Sequence, residues 1–529
     1  MFRTRAGALG GCLAVTVLTA VTAPALTAPP AQAVSAALGM KGPERDPSAL
    51  SAGKPPLGML AAIHRDLGLT EEQAQSHLLN ESRLSPIAVR LRERLGDRFA
   101  GSWLQGPVGQ TLVVATTSRA DTAQITAAGA RPLVVARSLA RLRAVKEKLA
   151  AQPALSAVSS VRYIDAKTNK VVISSSTPKA TTSSIKAAGV APAAVRVALS
   201  AERPRLLQAS TPTDPQTYPP GVPPTDLLGG QAYYAGAATR CSVGFAVTKG
   251  VQKGFVSAGH CGAPGTATVG FNRLAQGSVQ ASTFPGGDHS WVALNDSWIP
   301  RPLVGNDSGG IMYVYGSRES IEGSVVCLAG SSIAGRDWHC GIITQREADV
   351  TYPEGVVERL IRTSACAHPG NAGAAMLSIG QAQGIVSGGS GSCETGGVTY
   401  VQPINDILTA HDLTLVTYTK TQASTGSCNG YPNSITGSLS NGQTVYQPGG
   451  LSYRTSVTGS HYGCLEANTT GDFDLHLQRL NGSTWSTVAV SQTPSPFEEL
   501  GYVGPPGVYR YLLLSFKGSG PYTLGYTTP

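Results

Sequence analysis

The stretch Gly254-Phe255-Val256-Ser257-Ala258-Gly259-His260-Cys261 decides the fold of this 529-residue chain. A short apolar run ends here at a histidine, and a cysteine follows at once. Similar short runs, such as 242–248 and 384–387, recur from Asp226 onwards and are separated by Gly, Ser, Asn and Asp. This punctuation favours strands over helices. The sequence therefore predicts an all-β domain with a histidine at the end of one strand.

Two later blocks belong with this histidine. The block FPGGD at 284–288 supplies the carboxylate of Asp288 just before another apolar run, and the block ACAHPG at 365–370 leads into a glycine turn at Ala372. Asp288 follows His260 by 28 residues, and Ala372 follows Asp288 by 84.

The order of the blocks resembles the streptogrisin and alpha-lytic branch of the chymotrypsin-like serine proteases. The matching segments between 226 and 415 are Leu228-Gly229-Gly230, CSVGF at 241–245, the His260 and Asp288 blocks, and SGGSG at 387–391. The resemblance implies the family's all-β double β-barrel over 226–418. Three segments also resemble the family's propeptide, DLGLT at 66–70, FAGSW at 99–103 and NKVV at 169–172. An α/β pro-region over 34–225 is therefore expected, and it would assist folding.

The resemblance also implies roles for individual residues. In the family a serine oxygen attacks the peptide carbonyl, a histidine takes its proton, and an aspartate holds the histidine tautomer. His260 matches the base and Asp288 the orienting acid. The backbone N–H groups of Gly370 and Ala372 match the oxyanion hole, while the specificity pocket is matched by Ser387, Gly388 and Gly389.

The nucleophile is missing from this pattern. The family motif is Gly-Asp-Ser-Gly-Gly, whereas this chain has Gly370-Asn371-Ala372-Gly373-Ala374. The methyl group of Ala372 cannot form an acyl-enzyme. In subtilisin, loss of the triad serine lowers kcat by about 2 × 10⁶-fold. Asn371 lacks the charge of the family aspartate, and Ala374 excludes a comfortable positive φ. The sequence predicts a catalytically inactive, peptide-binding pseudoprotease.

Two other functions stay open at this point. Asp307-Ser308-Gly309-Gly310 spells most of the missing motif, so an active endopeptidase with Ser308 as an unorthodox nucleophile is the first alternative. This segment lacks the flanking cysteine and proline, and a glycine-rich β-turn is the simpler interpretation. The second alternative is a polysaccharide or cell-wall binding protein that acts through its last hundred residues.

Charge and composition exclude several classes of partner. The formal net charge of +9 comes mainly from 34–225, where 24 Lys and Arg face 13 Asp and Glu in mixed order. No basic run is present, so we expect no nucleic-acid partner. We also expect no cofactor and no metal, since no ligand spacing supports a zinc site formed by His260, His289 and His368.

The N-terminal region is predicted to be an export signal followed by the pro-region. Arg3 and Arg5 precede an apolar stretch, and Ala31-Gln32-Ala33 is a typical cleavage site, so 1–33 predicts a signal peptide, a secreted extracellular protein and no membrane anchor. Within the pro-region, Thr70 and Gln73 predict a helix start. A Pro-rich stretch over 202–225 predicts an exposed linker. A separate processing protease is expected to cut near Thr225–Asp226.

Eight cysteines follow the signal, at positions 241, 261, 327, 340, 366, 393, 428 and 464. An even number in an exported chain indicates disulfides, for which roughly a hundred connectivities are possible. The family resemblance implies that neighbours pair, giving Cys241–Cys261, Cys327–Cys340, Cys366–Cys393 and Cys428–Cys464.

Residues 428–529 predict a small β-sandwich. Phe473, Leu475 and Leu477 alternate with polar residues, which is typical of strands with one buried face. The segment resembles the C-terminal sandwich domains of secreted bacterial peptidases. Asp472 and Asp474 are candidate calcium ligands but are interpreted as solvent-exposed carboxylates, and Trp485 is interpreted as sandwich core rather than as a polysaccharide contact.

Overall fold

The computed structural model describes residues 57–209, 225–236, 239–305, 311–331, 338–418, 428, 431–457, 459–467, 471–491 and 497–529. The predicted signal peptide, the Pro-rich residues 210–224 and the junction 419–427 lie outside these ranges. Among the described residues, no helix combines the length and the apolar character that crossing a membrane requires.

The region before residue 210 mixes helices and strands. Its helices are α1 (Leu57–Leu67), α2 (Glu71–Leu95), α3 (Thr122–Ala127), α4 (Leu139–Ala150), α5 (Pro153–Ser156) and α6 (Pro178–Ala187). Its strands are β1 (Phe99–Gln105), β2 (Thr111–Thr116), β3 (Arg131–Val134), β4 (Val161–Asp165), β5 (Lys170–Ser175), β6 (Val195–Leu199) and β7 (Arg205–Leu206). Thr70 and Gln73 form the predicted capping box at the start of α2.

Seventeen strands and one helix make up the described part of 225–418. They are β8 (Asp226–Gly229), β9 (Ala232–Ala235), β10 (Thr239–Ser242), β11 (Phe245–Lys249), β12 (Gln252–Ser257), β13 (Ala267–Gly270), β14 (Ala275–Thr283), β15 (His289–Leu294), β16 (Ile299–Gly305), β17 (Ile311–Tyr313), β18 (Val325–Ala329), β19 (His339–Tyr352), β20 (Gly355–Thr363), β21 (Ala375–Ser378), β22 (Gln381–Ser392), β23 (Gly396–Pro403), α7 (Ile404–His411) and β24 (Thr414–Leu415).

These strands form the predicted pair of β-barrels. The first sheet has the order β10-β9-β13-β14-β15-β12-β11-β24. In the second, the order β18-β21-β22-β23-β20-β19 is closed by an additional pairing of β18 with β19. The closed pairing makes β22 a strand of the wall of this second barrel. The chymotrypsin-like fold class is confirmed.

The pro-region is joined to the second barrel by continuous hydrogen bonding. Strand β4 pairs antiparallel with β19 at Arg162↔Asp349 and Val161↔Val350. The order β19-β4-β5-β6 therefore extends the barrel sheet into the pro-region. A shared sheet fixes the orientation of the two parts, so the chain beyond β6 is delivered to one side of the barrels.

The C-terminal region is a sandwich of two sheets. Its strands are β25 (Asn433–Leu439), β26 (Thr444–Gln447), β27 (Tyr453–Thr455), β28 (Gly459–Ala467), β29 (Asp472–Asn481), β30 (Thr484–Ser491), β31 (Phe497–Gly504), β32 (Gly507–Lys517) and β33 (Gly520–Thr527). The sheet orders are β25-β33-β28-β31 and β26-β32-β29-β30, with β27 added to β32. Phe473, Leu475 and Leu477 are fully buried between them, as the alternation predicts.

Candidate active site

His260 and Asp288 meet because the strands that carry them are neighbours. His260 lies in a 3-10 turn directly after β12, and Asp288 directly precedes β15. These strands pair antiparallel, with Ser257 opposite Ser290. His260 Nδ1 lies 2.8 Å from Asp288 Oδ2 and 3.0 Å from Oδ1, and the His260 backbone N–H donates to Oδ1 at 3.1 Å. The structure thus brings the two predicted side chains together.

Two further residues hold Asp288, one through its carboxylate and one through its backbone N–H. The hydroxyl of Ser387 donates to Oδ2 at 2.6 Å, and the Asp288 backbone N–H donates to the side-chain oxygen of Gln402 at 3.0 Å. Burial would raise the pKa of Asp288, but attraction to His260 and hydrogen bonds from His260 and Ser387 lower it below its ordinary value. The sequence assigned Ser387 only to the pocket wall and did not single out Gln402. For both Ser387 and Gln402, the one signal in the sequence was a polar residue within an apolar strand.

The turn at 370–374 carries Ala372 at the position that the family motif gives to the nucleophile. Ala372 is fully buried, and its carbonyl accepts the Ser242 N–H at 2.8 Å. Gly373 has φ +81°, and a Cβ there would lie 2.0 Å from Ser257 Oγ, so only glycine fits. Within the described part of the chain, His260 Nε2 is buried and has no hydrogen-bond partner. A general base in a triad uses this nitrogen to accept the serine proton.

The two altered neighbours adopt ordinary conformations. Asn371 is buried, and its side-chain oxygen accepts the His368 N–H at 2.9 Å, while its own N–H donates to the His368 carbonyl at 3.0 Å. This neutral pair of bonds holds the turn without an ion pair. Ala374 is fully buried and does not have positive φ, which agrees with the restriction expected for alanine.

The carbonyl oxygen of a pro-region residue lies between the two predicted oxyanion donors. The Gly370 N–H donates to the Leu207 oxygen at 2.5 Å and the Ala372 N–H donates to the same oxygen at 3.2 Å. Strand β7 then pairs antiparallel with β22, Leu206 opposite Gly388 and Arg205 opposite Gly389. Residues 205–207 therefore lie along the predicted pocket wall as an added strand.

This finding corrects one expectation. The Pro-rich stretch 202–225 was expected to be an exposed linker, and this is wrong for its first part. Pro204, Leu207 and Ala209 are buried. The reason is that an extended peptide can be held by backbone hydrogen bonds alone, whatever its proline content at other positions.

Two family models and several known proteins match this chain. A family model described as Alpha-lytic protease pro N-terminal matches residues 72–135, and one described as Alpha-lytic protease prodomain matches 137–192. Streptogrisin-C of Streptomyces griseus is 44% identical over 436 residues, which make up 80% of this chain and 89% of that relative. The chain belongs to the streptogrisin and alpha-lytic protease family.

Other proteins are similar over smaller shares of the chain. Serine protease 1 of Rarobacter faecitabidus is 31% identical over 71% of this chain and 66% of its own length. A crystal structure of a Cellulomonas bogoriensis chymotrypsin is 45% identical, covers 36% of this chain and 100% of its own, and has a TM-score of 0.34. The two prodomain matches show that this member of the streptogrisin family carries its own pro-region.

Four disulfides are formed between neighbours along the chain. They are Cys241–Cys261, Cys327–Cys340, Cys366–Cys393 and Cys428–Cys464, the same pairs that the resemblance implied. The first fixes the residue after His260, and the third closes the loop that carries the 370–374 turn and the pocket wall. Both bonds therefore support the candidate site.

The histidines considered for zinc do not gather at one point. His289 Nδ1 lies 2.8 Å from His411 Nε2, and the His368 ring packs edge-on against His339 at 5.5 Å. Burial and repulsion from His411 lower the pKa of His289 to about 4. Cysteines near these rings are oxidised to disulfides and offer no thiolate.

The remaining candidate residues lie in the sandwich or outside the described ranges. Asp474 is buried and its carboxylate oxygens lie within 4.8 Å of those of Asp472 and Glu498, so the solvent-exposed interpretation is wrong for Asp474. Trp485 is half-buried on the outer face, where the Arg510 guanidinium lies 4.1 Å from its ring, so the core interpretation is wrong. Ser308 lies outside the described residues.

Proposed function

We propose that this chain is an exported pseudoprotease of the streptogrisin type, which binds an extended peptide in its cleft and does not cut it. One observation carries the proposal: His260 and Asp288 are paired, while the chain has Ala372 where the family motif has its serine. Membership of the family supports the site assignment because the motifs align in order over the whole protease region.

In this proposal the site keeps the base, the orienting acid and the oxyanion donors, and it lacks the nucleophile. Asp288 accepts the Nδ1 hydrogen of His260, which leaves Nε2 as the acceptor. Proton transfer to Nε2 needs a hydroxyl, and the methyl group of Ala372 supplies none. The N–H groups of Gly370 and Ala372 are unaffected by this change, so they still bind a peptide carbonyl. Binding without acyl transfer follows.

Maturation is part of the same proposal. The pro-region assists folding of the barrels, as its family type suggests, and an inactive site cannot remove it. A separate protease must therefore cut the precursor, or the pro-region stays attached. The signal sequence at 1–33 would direct the chain to the extracellular space.

Restoring the missing oxygen tests the proposal. The natural chain, Ala372→Ser and Ala372→Ser/Asn371→Asp are compared on casein and with a fluorophosphonate probe, which labels an activated serine. Ala367→Ser is the matched control, since it adds the same hydroxyl five residues away in the same loop. We expect hydrolysis and labelling only when residue 372 is serine.

Labelling of the natural chain would instead favour the active-endopeptidase alternative. Peptide mapping of the labelled product would then identify the serine, and Ser308→Ala would abolish the label if that residue were the nucleophile. Hydrolysis by the purified natural chain through such a serine would refute the pseudoprotease.

A second binding function is favoured by the outer face of the sandwich. The Arg510 guanidinium lies 3.8 Å from the Tyr446 ring and 4.1 Å from the Trp485 ring, and Arg510 Nε donates to Gln478 at 2.8 Å. Aromatic and planar polar groups of this kind suit a polysaccharide surface. Retention on cell walls should fall when the chain is truncated after Ser427, and unchanged retention would exclude this role.

A further inference from the structure

Two half-buried histidines meet beside the Cys366–Cys393 disulfide. His339 begins β19, and His368 lies in the loop that leads into the 370–374 turn. The centroids of their rings are 5.5 Å apart, and the ring planes are inclined by 65°. Two separate segments of the chain therefore bring imidazole groups to one place.

The ring nitrogens are close enough to share a metal ion. One ring nitrogen of His339, one of His368 and the Sγ atom of Cys393 all lie within 4.8 Å of one another. His339 Nε2 lies 4.0 Å from Cys393 Sγ, and its Nδ1 lies 3.3 Å from Cys366 Sγ. Zinc binds imidazole nitrogen at about 2.0–2.1 Å, so two nitrogens on one tetrahedral ion lie about 3.3 Å apart. Small rotations of the side chains would give that separation.

A carboxylate next to the disulfide can supply a third ligand. The disulfide itself cannot, because its sulfurs are not thiolates. Glu394 is exposed in the turn between β22 and β23. Its pKa is lowered by hydrogen bonds with Ser392 and with its own backbone N–H, and attraction to His368 and His339 adds to this. The carboxylate thus lies near both imidazoles, and its exposed side chain can turn towards them.

The surrounding charges also allow a cation to bind. The Arg65 guanidinium of α1 lies 3.5 Å from His339 Nδ1. The same guanidinium is paired with the carboxylate of Asp66 at 2.6 Å. Because Asp66 offsets the positive charge of Arg65, the repulsion that a bound cation meets from this side is weak.

We propose that His339, His368 and Glu394 bind one divalent transition-metal ion, Zn²⁺ or Cu²⁺, beside the Cys366–Cys393 disulfide. Imidazole ligands suit these ions, whereas Ca²⁺ and Mg²⁺ prefer oxygen ligands alone. Three protein ligands leave a fourth position for water or for a group of a bound molecule. The set differs from the zinc candidates considered in the sequence, of which only His368 recurs. It is independent of whether the chain cuts peptides.

A metal ion at this site would hold the loop that carries the oxyanion donors. The His368 backbone N–H donates to the Asn371 side-chain oxygen at 2.9 Å, and the His368 carbonyl accepts the Asn371 N–H at 3.0 Å. Binding of the His368 ring to a metal ion would therefore restrict residues 370–372 relative to β19. The ion would act as a second cross-link in the region that the disulfide already joins.

The first test measures zinc binding and identifies the ligands. The full natural chain is freed of metal with EDTA and titrated with Zn²⁺ in a calorimeter, and we expect one ion per chain. Loss of a residue that only supports a metal ligand costs about 10–100-fold in affinity, so His339→Ala and His368→Ala should each weaken binding by about 100-fold or more. Glu394→Gln should weaken it by about 10-fold or more. His476→Ala, at a half-buried histidine of the sandwich, is the matched control and should bind as the natural chain does.

Two outcomes of this test would overturn the site. The first is an affinity that neither histidine substitution changes. The second comes from titration with Co²⁺, which reports the type of ligand. Nitrogen and oxygen ligands give weak visible bands alone, whereas thiolates add intense near-ultraviolet absorption. A thiolate band would contradict the proposed ligands, because it would require an opened disulfide.

The second test needs no substitution, so it holds even if a variant does not fold. Diethyl pyrocarbonate acylates histidine rings, and peptide mapping locates the modified residues. Zn²⁺ at about ten times its Kd should slow modification of His339 and His368 by about 10-fold, since the metal-free fraction falls by that factor. Exposed His64 should react at an unchanged rate. Equal rates for His339 and His368 with and without Zn²⁺ would overturn the proposal.

Hydrogen exchange tests the proposed cross-link. Exchange of the backbone amides of residues 370–372 is followed by mass spectrometry in the natural chain, with and without saturating Zn²⁺. We expect slower exchange when the metal is bound, because the loop is then tied to β19. Binding of Zn²⁺ without any change in this exchange would refute the cross-link.

Discussion

Glu81 gives the association between pro-region and barrels a defined pH dependence. This residue of α2 is 2% exposed and inserts into the protease region. It accepts the Val325 N–H at 2.9 Å and hydroxyl hydrogens from Ser320 and Ser378. Burial raises the pKa of Glu81 to about 7 from 4.5, despite these hydrogen bonds. The buried carboxyl therefore prefers its protonated form.

The magnitude follows from the difference between the two pKa values. Below pH 4.5 the carboxyl is protonated in the folded and the unfolded chain, so its contribution to stability is fully present. Between pH 4.5 and about 7 only the unfolded chain releases the proton, and the free energy of unfolding falls by about 1.4 kcal/mol per pH unit. The total loss is about 3 kcal/mol, complete above the folded pKa.

Glu81→Gln removes this titration and keeps an oxygen acceptor. Guanidinium unfolding of the full chain, followed by tryptophan fluorescence, is measured at about pH 5 and about pH 8 for the natural chain, Glu81→Gln and Glu93→Gln. Glu93 lies on the same helix but is exposed. We expect the difference in the free energy of unfolding between the natural chain and Glu81→Gln to change by about 3 kcal/mol across this range. The corresponding difference between the natural chain and Glu93→Gln should stay constant.

Glu322 also affects how the free energy of unfolding changes with pH, but it does not affect the difference between the natural chain and Glu81→Gln. It is also buried at the interface, and burial raises its pKa to about 8 against the attraction of Lys167. Both the natural chain and Glu81→Gln retain Glu322, so its contribution cancels in the comparison. Parallel pH profiles for the two chains would refute the assignment of a protonated Glu81.

Three further substitutions have outcomes that the packing determines. Lys146→Ala removes the nearer of the two cations that face the buried Asp349 carboxylate, leaving Arg162 Nε at 3.8 Å, and should lower the stability of the pro-region association by about 3 kcal/mol in thermal unfolding, whereas Lys148→Ala at an exposed site should not. Gly373→Ala should cost more than about 3 kcal/mol or prevent folding, since its Cβ would clash with Ser257 Oγ, while Gly286→Ala at a similar φ in open space should cost about 1 kcal/mol. His260→Ala should destabilise the inactive natural chain by about 3 kcal/mol because Asp288 stays buried, and a loss under about 1 kcal/mol would contradict this.

Much of the site was predictable because local sequence patterns fix it. A histidine at the end of β12 and an acid at the start of β15 must meet when those strands pair. The four disulfide pairs were implied by the family resemblance, because the number and spacing of the cysteines alone leave roughly a hundred connectivities open.

The contact of residues 205–207 with the pocket wall was not predictable in the same way. Their hydrogen bonds with Gly370 and Ala372 and their pairing with β22 use backbone groups, which every residue possesses, so residue types gave no signal for these bonds. Gln402 was missed for a related reason, because it meets Asp288 through a hydrogen bond between residues 114 positions apart in the chain. The approach of Asp474 to Glu498 likewise joins two different strands.

The retained His260 and Asp288 do not by themselves argue for residual catalysis. Asp288 is fully buried, and a buried carboxylate needs donors whether or not any reaction occurs. The backbone N–H and the Nδ1 of His260 provide two donors and Ser387 a third, so losing the His260 side chain takes one donor from the buried carboxylate and would destabilise the barrel even in an inactive chain. A serine hydroxyl in place of the Ala372 methyl group would have contributed no such support to the carboxylate. Loss of the nucleophile with retention of the other two side chains is therefore what stability alone would preserve once cutting is no longer required.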